Sequence, residues 1–96
     1  MQIAPDQLQD LCRRWQVQEL ALFGSAVRGG FQPESDIDVL VTFEADALWT
    51  LWDLSRMRQE LRDLFGREVD LVEQKGLRNP FLQQEILATK QVIYAA

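Results

Sequence analysis

The stretch Leu22–Val41, with the sequence LFGSAVRGGFQPESDIDVLV, decides how this chain is expected to fold. It starts at the end of an apolar segment, breaks at Gly24 and Ser25, passes through a glycine-containing loop and ends in alternating apolar residues. Alternation is typical of a half-buried strand, and glycine and proline are typical of turns. The stretch therefore predicts two strands, Glu19–Phe23 and Asp36–Phe43, joined by a turn and a loop.

Helices and further strands are predicted on both sides of this pair. Apolar residues at spacings of three and four predict helices over Pro5–Trp15, Ala47–Phe65 and Pro80 to about Thr89, with a short helical turn at Ala26–Gly29. Alternation predicts a third strand at Glu68–Val72, and Val92–Tyr94 is either a short terminal strand or a chain end packed on the core. This order predicts an α+β (mixed α/β) fold, a small mixed β-sheet flanked by helices.

The apolar stripes of the helices give the expected core. In the first helix the stripe consists of Leu8, Leu11, Cys12 and Trp15. In the long helix it consists of Leu48, Leu51, Trp52, Leu54, Met57, Leu61, Leu64 and Phe65, and in the last helix of Phe81, Leu82, Ile86 and Leu87. Trp49 lies beside the long stripe, so it either packs in the core or anchors an interface with a partner.

Length and composition limit the classes of function. The 96 residues are enough for one small domain, 1–96, and the 47% hydrophobic content favours a folded chain. No apolar run is long enough to span a membrane, and no signal peptide is evident. His is absent and Cys12 is the only cysteine, which excludes an internal disulfide and His- or Cys-based zinc sites and favours a cytoplasmic location.

The charge of the chain bears on its partners. The formal net charge is −5, which argues against direct binding to nucleic acid, because phosphate contacts need a basic face. It does not argue against binding a nucleotide, since divalent cations can reverse the sign of the local field.

Three aspartates are the candidate metal ligands. Asp36 and Asp38 are two residues apart on a predicted strand, so their side chains share a face with about 6.5–7 Å between their Cα atoms. Asp70, in the third strand, is the natural third ligand. Carboxylates so spaced can converge on two divalent ions, and an all-oxygen set favours Mg²⁺ or Mn²⁺ over Zn²⁺. An Asp-x-Asp pair taken alone is more often a solvated strand edge, but three clustered like charges destabilise a fold unless cations offset them.

The turn at Gly24 and Ser25 is the candidate phosphate site. Backbone N–H groups and the Ser25 hydroxyl can bind phosphate oxygens, and Gly24 allows phosphates to approach the backbone closely. Arg28 could contact a triphosphate, although a lone surface arginine is more often solvated. Each of these signals is weak alone, and neither a Walker loop nor a dinucleotide fingerprint is present.

The combination of these motifs is much more specific than its parts. The segments LFGSAVRG (22–29), SDIDVLV (35–41) and VDLV (69–72) resemble the minimal nucleotidyltransferases of the DNA polymerase beta superfamily. The tail segments LRNP (77–80) and EIL (85–87) look like the closing part of that family. The resemblance implies a polymerase beta palm-like nucleotidyltransferase fold and two metals held by Asp36, Asp38 and Asp70. It also implies ATP as substrate, with Gly24 and Ser25 on its phosphates and Arg28 matching a frequent arginine of the family.

The same resemblance suggests a partner. Minimal nucleotidyltransferases resemble the antitoxin half of a two-gene pair whose other half is a helical HEPN ribonuclease toxin, and the antitoxin adds AMP to a tyrosine of the toxin. The expectation is therefore a Mg²⁺-dependent transferase acting on a HEPN toxin. Two alternatives remain open: an antitoxin that acts by binding alone, and a nucleotidyltransferase subunit acting on a small molecule.

Overall fold

The predicted strand pair forms the centre of a mixed sheet. The computed structural model describes residues 3–24 and 36–96, and the elements of this part of the chain follow in order. They are α1 (Pro5–Arg14), β1 (Val17–Phe23), β2 (Ile37–Phe43), α2 (Leu51–Phe65), β3 (Val69–Glu73), a 3-10 helix (Gln74–Gly76), α3 (Pro80–Thr89) and β4 (Gln91–Ala95). The α+β fold expected from the sequence is confirmed, and the C-terminal segment is a strand.

The strands are arranged in the order β3-β2-β1-β4. β1 pairs antiparallel with both β2 and β4, whereas β2 and β3 run parallel. A parallel pair needs a crossover connection, and α2 provides it. The predicted helical turn at Ala26–Gly29 lies outside the described residues.

One face of the sheet carries the main core. Leu20 and Leu22 of β1 and the alternate residues Ile37, Val39 and Val41 of β2 pack there against α1 and α2. The predicted stripe of α1 is confirmed, because Leu8, Leu11, Cys12 and Trp15 are all buried. The odd-numbered face of β2 is thus the core face, which leaves Asp38 on the other face of the sheet.

The start of α2 differs from the prediction. The helix begins at Leu51 instead of Ala47, because Thr50 and Asp53 form a capping box: the Thr50 hydroxyl accepts the Asp53 N–H, and the Asp53 carboxylate accepts the Thr50 N–H. Gly66, in the left-handed conformation, ends the helix as predicted.

The predicted core stripe of α2 is wrong at its amino end. Met57, Leu61 and Phe65 are buried, but Leu48, Leu51 and Trp52 are 89%, 84% and 82% exposed. Leu48 lies before the helix, so its spacing to the later apolar residues does not place it on their face of the helix.

The two tryptophans exchange their expected roles. Trp49 is half-buried, packs against Trp15 with 4.7 Å between ring centroids, and donates its indole N–H to the Trp15 carbonyl at 2.9 Å. Trp52, predicted to be in the core, faces outward. Any interface role therefore falls to Trp52 instead of Trp49.

The stripe of α3 is also mostly exposed. Only Ile86 is buried, whereas Phe81 is 83% exposed and Leu82 and Leu87 are also exposed. Asn79 caps the helix by accepting the N–H groups of Phe81 and Leu82. Within residues 3–24 and 36–96, no helix has the length and apolar character needed to cross a membrane.

Candidate active site

The parallel pairing of β2 and β3 brings two of the three predicted carboxylates together. Asp38 and Asp70 are direct Cα partners in the register, and Ile37 pairs with Val69 immediately before them. Neighbouring strands lie about 4.8 Å apart, and partner residues project from the same face. The two carboxylates therefore share one face of the sheet, opposite the main core.

Asp36 comes directly before β2. It is exposed, Asp38 is half-buried and Asp70 is exposed. The Ile37 N–H donates to the Glu68 carbonyl at 2.9 Å, so the backbone between Asp36 and Asp38 is fixed against the segment that leads to Asp70. The three aspartates thus lie at one end of two adjacent strands.

The face that carries these aspartates is partly covered. Leu40, two residues beyond Asp38, is 1% exposed, and Ala21 opposite it is fully buried. The Thr42 hydroxyl, further along the same face, is hydrogen-bonded to the Gln74 side chain of the 3-10 helix. The carboxylates therefore lie at the rim of a packed surface instead of on a wholly solvated strand edge.

The described side chains do not form a complete metal cage. Among residues 3–24 and 36–96, no three carboxylate, thiol or imidazole groups converge closely enough to hold one metal ion. The donor chemistry nevertheless fits Mg²⁺ or Mn²⁺, because the available ligands are carboxylate oxygens at the amino ends of adjacent parallel strands. The pair that the register places side by side is Asp38 and Asp70.

Gly24 lies against Asp38, one member of this pair. Phe23 is the Cα partner of Asp38, and Gly24 follows it with a φ of +66°, in the region that favours glycine. A Cβ built on Gly24 would lie 3.2 Å from the Asp38 Cγ and closer still to its Oδ2. The glycine is thus needed both for its backbone angle and for the space that the Asp38 carboxylate fills.

Ser25 and Arg28 lie outside the described residues, so their roles at the nucleotide phosphates stay predictions. The contact between Gly24 and Asp38 was not predicted from the sequence, which assigned Gly24 to the phosphates alone. The signal that could have revealed it is the antiparallel register of β1 and β2, which the sequence leaves undetermined because a long stretch of sequence separates the two strands.

Comparisons with known proteins identify the family of this chain. The sequence model of the nucleotidyltransferase domain family matches residues 5–93. The chain belongs to this family. The match includes β1, β2 and β3 and therefore Gly24, Asp36, Asp38 and Asp70.

This nucleotidyltransferase domain is similar in sequence to a named adenylyltransferase and in structure to toxin–antitoxin proteins. The protein adenylyltransferase MntA of Thermococcus cleftensis is 33% identical over 85 residues, which cover 88% of this chain and 81% of MntA. A crystal structure of a toxin–antitoxin pair with AMP-PNP superimposes with a TM-score of 0.76 at 25% identity, covering 98% of this chain and 75% of that chain. A complex of a tri-AMPylated Shewanella oneidensis HEPN toxin with its antitoxin superimposes with a TM-score of 0.66 at 23% identity, covering 96% of this chain and 70% of that chain. At this identity the likeness shows the shared fold alone.

Proposed function

We propose that this nucleotidyltransferase domain transfers AMP from ATP to a tyrosine hydroxyl of a partner HEPN toxin, acting as the antitoxin of the pair in the cytoplasm. The observation that carries the proposal is the register of Asp38 beside Asp70 at the amino ends of β2 and β3. Paired carboxylates on a rigid parallel ladder are what a phosphoryl-type transfer with divalent ions needs. Family membership supports the reaction class.

The chemistry follows from the carboxylates. The acceptor oxygen attacks the α-phosphorus of ATP, the bond from that phosphorus to the bridging oxygen breaks, and pyrophosphate leaves. Divalent ions, Mg²⁺ or Mn²⁺, would neutralise the leaving pyrophosphate and lower the pKa of the attacking hydroxyl when bound. Asp36 and Asp38 would hold both ions, and Asp70 would complete the second ligand set. The chain has no histidine, so Asp70 or water takes the proton from the acceptor.

Two of the relatives support adenosine triphosphate and a toxin partner. The Thermococcus relative is named a protein adenylyltransferase, and the structural neighbour with AMP-PNP is a toxin–antitoxin pair. An adenosine nucleotide and a protein acceptor are therefore the substrates proposed for this chain. Gly24 and Ser25 are proposed to contact the triphosphate, with Arg28 beside them.

A transfer assay with ATP labelled in the α-phosphate and a purified HEPN toxin as acceptor tests the proposal. We expect label on the toxin with the unmodified chain and at least about 100-fold less with Asp38→Asn, since metal-held charge is lost at the reacting centre. Asp46→Asn is the matched control, because it removes the same charge from an exposed loop residue outside the site.

One further feature of the chain sharpens this assay. Tyr94 is the only tyrosine of the chain and is half-buried in β4, so Tyr94→Phe removes self-labelling as a source of signal. Transfer by Asp38→Asn at the unmodified rate would refute the proposed site, and label on a small sugar or antibiotic without any toxin would indicate the small-molecule alternative.

A second function, neutralisation of the toxin by binding alone, is favoured by one observation. Leu48, Leu51 and Trp52 form an exposed apolar surface around the start of α2, and exposed tryptophan is enriched in binding interfaces. The double variant Asp36→Asn/Asp38→Asn separates the two functions in cells. Full protection from the toxin by this variant would show that binding suffices, and loss of protection together with retained binding would show that transfer is needed.

A further inference from the structure

Two glycines of this chain have the same backbone conformation but different surroundings. Gly24 has a φ of +66° and Gly66 a φ of +72°, both in the left-handed region. A Cβ on Gly66 would meet no atom within 4 Å, whereas a Cβ on Gly24 would overlap the carboxylate of Asp38. The backbone requirement is therefore shared, and the steric requirement is specific to Gly24.

We propose that Gly24 is a positioning residue: its missing side chain leaves the space in which the Asp38 carboxylate is held in line with Asp70. The alternative is that Gly24 is needed only to let a triphosphate approach the backbone. The two roles differ in what they affect. A positioning role governs metal binding by the carboxylates even without nucleotide, whereas a phosphate role does not.

The geometry supports the positioning role. Phe23 pairs with Asp38 and Asp38 pairs with Asp70, so three adjacent strands fix the backbone around the carboxylate. The overlap falls on the end of the Asp38 side chain, with Cγ at 3.2 Å and Cβ at an ordinary 3.6 Å. A methyl group at position 24 would therefore be accommodated by rotation of the carboxylate and not by movement of the strand. That rotation would move the Asp38 Oδ2 oxygen out of the position that it occupies beside Gly24.

This inference rests on the proposed function in one respect, namely that the carboxylates bind a divalent ion. Its first test is Mn²⁺ binding to the nucleotide-free chain, measured by electron paramagnetic resonance of the free ion. The part of this binding that is lost in Asp38→Asn is the part that belongs to the site. We expect Gly24→Ala to weaken this binding about tenfold or more, the effect typical of misplacing a metal ligand. Gly66→Ala, the matched control with the same backbone strain, should stay within about twofold.

A second test does not depend on any metal. The stability loss caused by Gly24→Ala, measured by urea unfolding, is compared in the unmodified chain and in an Asp38→Ala background. Removal of the carboxylate should relieve the overlap. The fold-change in the unfolding equilibrium constant that Gly24→Ala causes should therefore be about threefold or more smaller in the Asp38→Ala background than in the unmodified chain, as expected for residues in contact. The remaining loss should match that of Gly66→Ala, which has only the backbone strain.

The outcomes separate this inference from the proposed function. Unchanged Mn²⁺ binding by Gly24→Ala, in a chain whose Asp38→Asn variant binds less, would overturn the positioning role and leave Gly24 to the phosphates. An equal stability loss in both backgrounds would overturn it as well. If Asp38→Asn leaves Mn²⁺ binding unchanged, the proposed metal function fails, while the unfolding comparison still decides whether Gly24 positions Asp38.

Discussion

The two tryptophans at the start of α2 allow a direct test of how this fold is held together. Trp49 and Trp52 are three residues apart, and the sequence pattern predicts that Trp52 is the core residue. The structure reverses this: Trp49 packs on Trp15, and Trp52 is 82% exposed. Replacing each tryptophan with alanine should therefore have very different effects on the free energy of unfolding.

The effect of Trp49→Ala can be worked out from its contacts. The hydrogen bond from its indole to the Trp15 carbonyl, at 2.9 Å, contributes about 1 kcal/mol. The tilted ring pair with Trp15 contributes about 1 kcal/mol beyond burial. Burying roughly half of a ~200 Å² side chain at ~25 cal/mol per Å² adds about 2.5 kcal/mol. Allowing for relaxation around the cavity, the expected loss is about 3 kcal/mol.

The effect of Trp52→Ala should be small. Its 82% exposure leaves about 40 Å² of a ~200 Å² side chain buried, which corresponds to about 1 kcal/mol. Alanine is a better helix former than tryptophan by roughly 0.5 kcal/mol, which offsets part of this loss. The net destabilisation should be about 0.5 kcal/mol.

Urea unfolding followed by circular dichroism measures both variants. The difference of about 2.5 kcal/mol between them corresponds to a difference in Tm of at least about 10 °C for a chain of this size. Acrylamide quenching of the remaining fluorescence gives an independent check, since Trp52 should be the most accessible of the three tryptophans. Equal losses for the two variants, or a larger loss for Trp52→Ala, would refute the packing described here.

Two titratable groups give predictions about pH. The pKa of Asp53 lies below its ordinary 3.8, mainly because its carboxylate accepts the Thr50 backbone N–H and secondly because it accepts the Thr50 hydroxyl. The stabilisation by this cap is therefore present above about pH 4 and is lost as the pH falls below that range. Asp53→Asn should flatten the acid side of a plot of urea midpoint against pH. Burial raises the pKa of the Cys12 thiol from 9.0 to about 12, so stability should fall as the pH rises from 9 towards 12, where only the unfolded chain loses the proton. Cys12→Ala should remove this alkaline loss, and iodoacetamide at pH 8 should label Cys12 only after urea unfolds the chain.

The sequence predicted the order of the elements well because the strongest periodicities belong to buried segments. The alternation in β2 and the stripe of α1 each describe one buried face, and both are confirmed. The stripe of α2 failed at its amino end for a local reason. Leu48, Leu51 and Trp52 keep helical spacing, but the capping box at Thr50 starts the helix after Leu48, and Leu51 and Trp52 in its first turn are exposed.

The pairing within the candidate site was harder to predict than the residues themselves. The three aspartates and Gly24 stand out from their residue types and spacing. Which of them face one another depends on strand register, and the long stretch of sequence between Gly24 and Asp38 does not fix that register. Packing a backbone turn against a carboxylate is a tertiary property with no local sequence signal.

The placement of Asp70 beside Asp38 follows from the matching lengths of two elements. β2 has 7 residues and spans about 23 Å, and α2 has 15 residues and spans about 22 Å. A crossover helix as long as the strand before it returns the chain to the level at which that strand began, so β3 starts beside the start of β2. Each aspartate is the second residue of its strand, and the register therefore makes them partners. The length of α2, whose ends are fixed by the Thr50 cap and by Gly66, thus returns the chain to the level at which the observed register pairs the two carboxylates.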